Sequence, residues 1–327
     1  MIEPPIQTPI QATKLQLANA IRTWDRFFFA PFAALPLAVF RIVFGSTIAI
    51  MYLLRFANWR FYFTDEGYIP ASRAMEAIAE FYRPDWPIFP STPTAAWFSQ
   101  LALLVVLVSL VIGFFPRISA LIAFGLHLAL IQRNVAIVYG GDLVTTFFLF
   151  GMIFSDSGRA LSVMSLWRRR TESVAGERAD LFSTFGVRLI QLQLCIIYGY
   201  SGMEKLKGAS WWDGTAVWAV IGNHQLMMFD TSWLRRFPLM IAAATLSSVL
   251  FEIYFPVLVW LKPLRKWMLI VGFTMHALIA LTVGLVFFSM VMISAYLLFI
   301  DDETYRLLYR LIGRRFNLRQ LEKRPGL

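Results

Sequence analysis

The chain has 327 residues, 58% of them hydrophobic and only 15% charged, with a mean hydropathy of +0.62. Soluble domains run at roughly 45–50% apolar and about 25% charged, so this composition excludes an ordinary soluble domain and indicates an integral membrane protein. The net charge of +10 would suit a nucleic acid, but the basic residues flank apolar windows, which is the pattern of membrane topology, and no nucleic-acid partner is expected.

Residues 1–12 are polar and proline-rich. Residues 13–30 have the spacing of an amphipathic helix, with Leu17, Ile21, Trp24 and Phe28 on one face, and the segment 1–33 is expected to lie along the inner membrane interface. Apolar windows of about 20 residues, the length that crosses ~30 Å of hydrocarbon, then recur near 34–55, 97–115, 118–137, 141–157, 184–205, 238–260, 266–285 and 286–300. Pro116-Arg117 separates the second from the third, Gly140-Gly141 the third from the fourth, and Gly284 the seventh from the eighth. The expected fold is therefore an all-α integral membrane protein of about eight transmembrane helices over 34–300, with a basic cytoplasmic tail at 301–327. With the N-terminus inside, 20 of the 30 basic residues fall on the inner side, 9 on the outer side, and Arg41 within the first span. That bias gives N-in, C-in with an even number of spans.

Two outer segments are long. Residues 56–96 hold Asp65-Glu-Gly-Tyr-Ile-Pro70, a short helical piece from Ala71 to Tyr82, and prolines from Pro84 to Pro93 that prevent a continuous helix. Residues 206–237 carry Trp211, Trp212, Trp218 and Trp233 around His224, as a cap over a site or as an aromatic belt on the bilayer. The lone Cys195 sits in an apolar span, so no disulfide forms within the chain. His127, His224 and His276 make no HExxH signature, and no metal is expected.

The ionisable groups fall into layers of depth at about 1.5 Å per residue. Arg41 on the first span and Glu252 on the sixth come out at one inner depth, where a structural ion pair would offset the expense of burying each. His127 and His276 lie near mid-bilayer, either as neutral hydrogen-bonded groups or as functional ones. Arg133, Asn134, Asp142, Glu204 and Lys205 cluster at the outer ends of the third to fifth spans. Tyr198, Ser201 and Lys205 follow i, i+3, i+7 spacing and share a face, whereas Glu204 points away. Asp142 on a neighbouring span is the expected partner of Lys205, and Gly199 and Gly202 would admit that neighbour closely. A lysine in such a place either acts as a desolvated base or snorkels to the interface.

These fragments carry a family resemblance. Leu37-Ala-Val-Phe-Arg-Ile-Val-Phe-Gly45, Asp65-Glu-Gly-Tyr-Ile-Pro70, Arg133-Asn134, Gly140-Gly141-Asp142, Ser201-Gly-Met-Glu-Lys-Leu-Lys-Gly208, Ser210-Trp-Trp-Asp-Gly214, Glu252 and His276 with Phe288-Ser289 occur in that order. From about Leu35 to Ile300 the chain resembles the horizontally transferred transmembrane (HTTM) superfamily, which includes vitamin K-dependent gamma-glutamyl carboxylase. The resemblance implies a reduced quinone that is oxygenated to an epoxide. The strongly basic intermediate takes a glutamyl γ-proton, and the carbanion captures carbon dioxide. The carboxylase's lysine base matches Lys205 and its histidine ahead of the last span matches His276. A further functional histidine of the carboxylase falls at Gly141, and about 27 residues of tail stand where its large extra-membrane domain would be.

The resulting expectation is a multi-pass protein of a bacterial inner or other cell membrane, with its active face outside the cytoplasm. Lys205 would be general base, Asp142 its electrostatic partner and His276 the group that orients a ligand. Tyr198, Ser201, Trp211 and Trp212 would line a site for a lipid-soluble quinol. The alternative is a non-catalytic membrane protein that matures or escorts a peptide or protein substrate. A transporter is the weakest option, since no inverted repeat is visible.

Overall fold

The computed structural model describes residues 9–70, 72, 73, 76, 92–171, 181–305 and 307. Helices dominate, and no strand occurs among the described residues. In chain order they are α1 (Pro9–Phe29), α2 (Ala34–Ala57), α3 (Trp59–Phe63), α4 (Pro93–Ile112), α5 (Pro116–Arg133), α6 (Gly140–Phe154) and α7 (Val163–Thr171). They continue with α8 (Leu181–Lys205), α9 (Ala209–Trp212), α10 (Ala216–Ile221), α11 (Pro238–Leu258), α12 (Lys262–Val283) and α13 (Val286–Tyr296).

Each apolar window folds as one helix. Four of them, α2, α4, α11 and α12, are long and apolar enough to cross a membrane by length and composition, while 140–154 and 286–299 form shorter apolar helices. Boundaries shift where local chemistry intervenes. The second window starts at Pro93 because Thr92 accepts a hydrogen bond from the Ala95 amide (3.2 Å) and proline suits the first helical position. It ends at Ile112 because Gly113 turns left-handed (φ 72°) and ties its amide to the Leu110 carbonyl. The third stops at Arg133, where the Asn134 side chain accepts from the Ala136 amide and starts a 3-10 turn, Val135–Ile137. The expected helical piece 71–82 lies, apart from residues 72, 73 and 76, outside the described residues, as do residues 1–8 and most of the 301–327 tail.

The core is aromatic. Phe40 and Phe44 of α2 stack 5.3 Å apart and meet Phe148 of α6 edge-on. On the other side, Tyr198, Phe251, Phe255, Tyr296 and Phe299 join α8, α11 and the end of α13. Leu17, Ile21 and Trp24 of α1 are exposed, whereas Phe28, expected on the same face, packs the C-terminal end of α1 on α8 against Phe185.

One close helix contact decides the layout of the polar residues. Gly199 and Gly202 do admit a neighbour, but it is α11. A Cβ on Gly202 would stand 2.9 Å from Ile253 Cγ1 and 3.0 Å from the Ile253 amide nitrogen, and one on Gly199 would stand 3.2 Å from Pro256. This register sets Glu252 beside the end of α8.

Candidate functional site

Lys205 is the last residue of α8, and its side chain runs back along the helix toward Ser201, one turn earlier, as helical side chains do. Its Nζ donates to Ser201 Oγ (2.7 Å) and to the Glu252 carboxylate, and it stands 5.1 Å from the ring centroid of Trp211. The two side chains are 18% and 10% exposed. Lys205 thus turns into the helix packing instead of snorkelling away from it. Trp211 reaches the lysine because the chain turns at Gly208 into the short α9. Trp212 points outward, its Nε1 donating to the Leu206 carbonyl (2.8 Å), and does not touch the lysine.

A second polar tier lies beneath. The Tyr198 hydroxyl shares a hydrogen bond of 2.7 Å with His276 Nε2 and another with the Tyr296 hydroxyl, all three residues being buried. His276 Nδ1 and Ser289 Oγ are buried without a hydrogen-bond partner. The face Tyr198–Ser201–Lys205 is real, therefore, and it looks onto α11, α12 and α13. Gly272 makes room for the Tyr296 hydroxyl, which sits where a Cβ would be.

Two expected pairings do not form. Asp142 is not the partner of Lys205; Arg55 grips it with both terminal nitrogens (2.8 and 2.9 Å). Glu252 does not pair with Arg41. The Arg41 guanidinium is fully buried and donates to the carbonyls of Ser157 and Leu161 in the turn between α6 and α7. Gly113 is packed so closely that a Cβ there would lie 2.7 Å from Arg41 Nη1. Equal depth along two spans does not make them neighbours, because α2 packs against α4 and α13. In the same turn Asp156 meets Arg159 (3.0 Å) and Arg168 (3.5 Å). Burial alone would push its carboxyl up, but the Arg159 hydrogen bond and the charges of Arg168, Arg159 and Arg117 hold it below the usual 3.8.

Arg55 and Asp142 anchor a second centre that sequence reasoning missed. Asp142 also accepts from the Tyr139 amide (3.3 Å), capping α6, and its backbone carbonyl lies 3.0 Å from His127 Nε2. A carbonyl only accepts, so Nε2 carries the proton and Nδ1 accepts from the Tyr52 hydroxyl (2.6 Å). Both ring nitrogens of His127 are thereby satisfied. Opposite charges at the ends of two apolar stretches were the available signal for this pair. A cleft of 180 Å³ opens here, lined by Met51, Leu54, Arg55, Tyr62, Tyr139 and Phe287. The start of α13 partitions the two centres: Phe287 lines the cleft, while the Phe288 ring lies 5.5 Å from that of His276.

The motif residues Arg133 and Asn134 hold the loop after α3. Arg133 donates to Asp65 (2.6 Å) and to the Ile69 carbonyl (3.1 Å), and Asn134 donates to the Tyr62 carbonyl (2.8 Å). At Gly141, a Cβ would fall 2.8 Å from the Tyr139 ring, which already fills that space. Among the described residues no group of three or more His, Cys, Asp or Glu side chains is placed to hold a metal ion.

The chain is 25% identical over 220 residues to the uncharacterized protein YitO of Bacillus subtilis (strain 168), a match covering 63% of this chain and 68% of that protein. No family model matches the chain. No solved structure matches it.

Proposed function

We propose that this chain is a membrane-embedded enzyme of the HTTM type that removes a proton from a quinol-like lipid, with the Lys205–Glu252 pair as its proton-transfer centre. The observation that carries the reading is the environment of Lys205 Nζ, held between Glu252, Ser201 and the Trp211 ring above the Tyr198–His276–Tyr296 chain. An ammonium in an ion pair is not itself a base. The acceptor in this pair is the Glu252 carboxylate, which takes the proton as the hydroxyl O–H bond breaks. The electron pair stays on the ring oxygen, beside the Lys205 ammonium that stabilises it. His276 and Tyr198 orient the ring, and Ser201 fixes the lysine.

The eight helices that match the apolar windows, and the excess of basic residues on one side, support eight spans with both termini inside and the lysine toward the outer face. Glutamate carboxylation is not part of the reading, since Tyr139 occupies the place of a histidine at Gly141.

A second reading has one observation in its favour. The Lys205–Glu252 pair sits at the tight glycine contact of α8 with α11, where an ion pair can serve packing alone in a non-catalytic escort of a peptide or protein. Protein purified in mild detergent, subjected to native mass spectrometry with lipid extraction, separates the two. A co-purifying quinone present in wild type and lost in Lys205→Ala supports the enzyme. Absence of any quinone from both forms sinks it and moves attention to crosslinked peptide partners.

A further inference from the structure

The cleft beside Arg55 plays no part in that chemistry, yet it is built like a binding site. Its lining gathers at the ends of elements: Met51, Leu54 and Arg55 in the last two turns of α2, Tyr139 just ahead of α6, Phe287 in the first turn of α13, and Tyr62 in α3. Helix ends of a membrane protein lie at the depth of the lipid glycerol backbone, where the hydrocarbon gives way to polar groups.

We propose that this cleft binds the acyl ester carbonyl of a bilayer glycerolipid. The donors suit an uncharged acceptor. Arg55 lines the cleft, but Asp142 engages two of its five guanidinium N–H groups and cancels its charge, so the cleft carries no net positive field from it. An anionic phosphate or carboxylate would gain little there. The Tyr139 hydroxyl currently points at the Met51 sulfur, 3.8 Å away, a weak acceptor that a carbonyl oxygen replaces with advantage. The remaining walls are apolar or aromatic. Ile50, Leu53 and Leu54 share one exposed face of α2, a track along which the acyl chain can lie as it leaves the cleft. The cleft is also preorganised, because Asp142 is fixed by Arg55, by the Tyr139 amide and, through its carbonyl, by His127 and Tyr52. At 180 Å³ it takes an ester group and its first methylenes, not a whole lipid.

The test uses the full chain in mixed micelles with three probes: dioleoylphosphatidylcholine, its diether analogue with the same headgroup and no ester carbonyl, and oleate. Native mass spectrometry reads the concentration at which each is retained. The diester is expected to be retained at about ten-fold lower concentration than the diether, the worth of one hydrogen bond to the carbonyl. Tyr139→Phe keeps the wall and should reduce that ratio toward one. Equal retention of diester and diether by wild type overturns the proposal, as does tighter retention of oleate, which would mark an anion site. A discrimination that survives both Tyr139→Phe and the Arg55→Gln/Asp142→Asn double variant places the ester elsewhere and also overturns it.

Discussion

Removing one member of the Lys205–Glu252 pair should be worse than removing both. Glu252→Gln keeps the side-chain shape but leaves an ammonium among Ser201, Trp211 and apolar neighbours; Lys205→Met leaves a carboxylate there. Breaking a fully buried pair from one side costs about 3–5 kcal/mol. These side chains are 18% and 10% exposed, so each single variant should lose roughly 2–3 kcal/mol once that residual solvation is allowed for. The double variant Lys205→Met/Glu252→Gln removes both charges and should fall only about 1–2 kcal/mol below wild type. Equilibrium unfolding in mixed micelles, followed by helix content as the denaturing detergent is raised, gives the four free energies of the cycle. Non-additivity of at least about 2 kcal/mol is expected. Additivity within about 0.5 kcal/mol would show that the pair is screened like a surface contact, and would refute the burial argument.

Gly202→Leu should lower stability by roughly 1–3 kcal/mol in the same assay, because its Cβ meets the Ile253 backbone, which has nowhere to retreat. Arg41→Met strands the carbonyls of Ser157 and Leu161 at about 1–3 kcal/mol each, and limited proteolysis should detect faster cleavage within residues 155–162. Asp156 has a folded pKa below its ordinary value, so its contribution is full above 3.8 and disappears as pH falls through the lower folded value. Asp156→Asn should therefore flatten the loss of stability measured below that pH; an unchanged acid limb would remove Asp156 as its cause. Lys205→Arg separates the roles within the pair. If lysine stabilises the oxyanion, arginine retains part of the quinol turnover, whereas loss of all turnover would make lysine the base.

The helices of the apolar windows are legible in the sequence because they are apolar runs, several of them bounded by proline or glycine, and such runs need no tertiary information. Gly113 and Pro93 mark the ends of α4 closely, once the cap at Thr92 is seen. The common face of Tyr198, Ser201 and Lys205 is legible too, since spacing within one helix fixes it. Partners across helices are not. Depth arithmetic sets Arg41 against Glu252, but lateral neighbours depend on which faces interdigitate, and that is decided by Gly199 and Gly202 against α11. Asp142 stays near the lysine in any list of outer-layer groups, while its real partner, Arg55, looks like an ordinary flanking positive charge until the end of α2 is packed against α6. Tyr296 lies in an apolar stretch where nothing but the fold reveals a hydrogen-bonded hydroxyl.

The most direct test of the proton-transfer centre is difference infrared spectroscopy on the full chain in lipid nanodiscs, recorded before and after adding a water-soluble short-chain hydroquinone. Protonation of Glu252 predicts a new protonated-carboxyl band on binding that shifts with carbon-13 labelling of glutamate and is missing in Glu252→Gln. A spectrum with no such band, or one that persists unchanged in Glu252→Gln, would contradict the assignment of the Lys205–Glu252 pair as the proton acceptor.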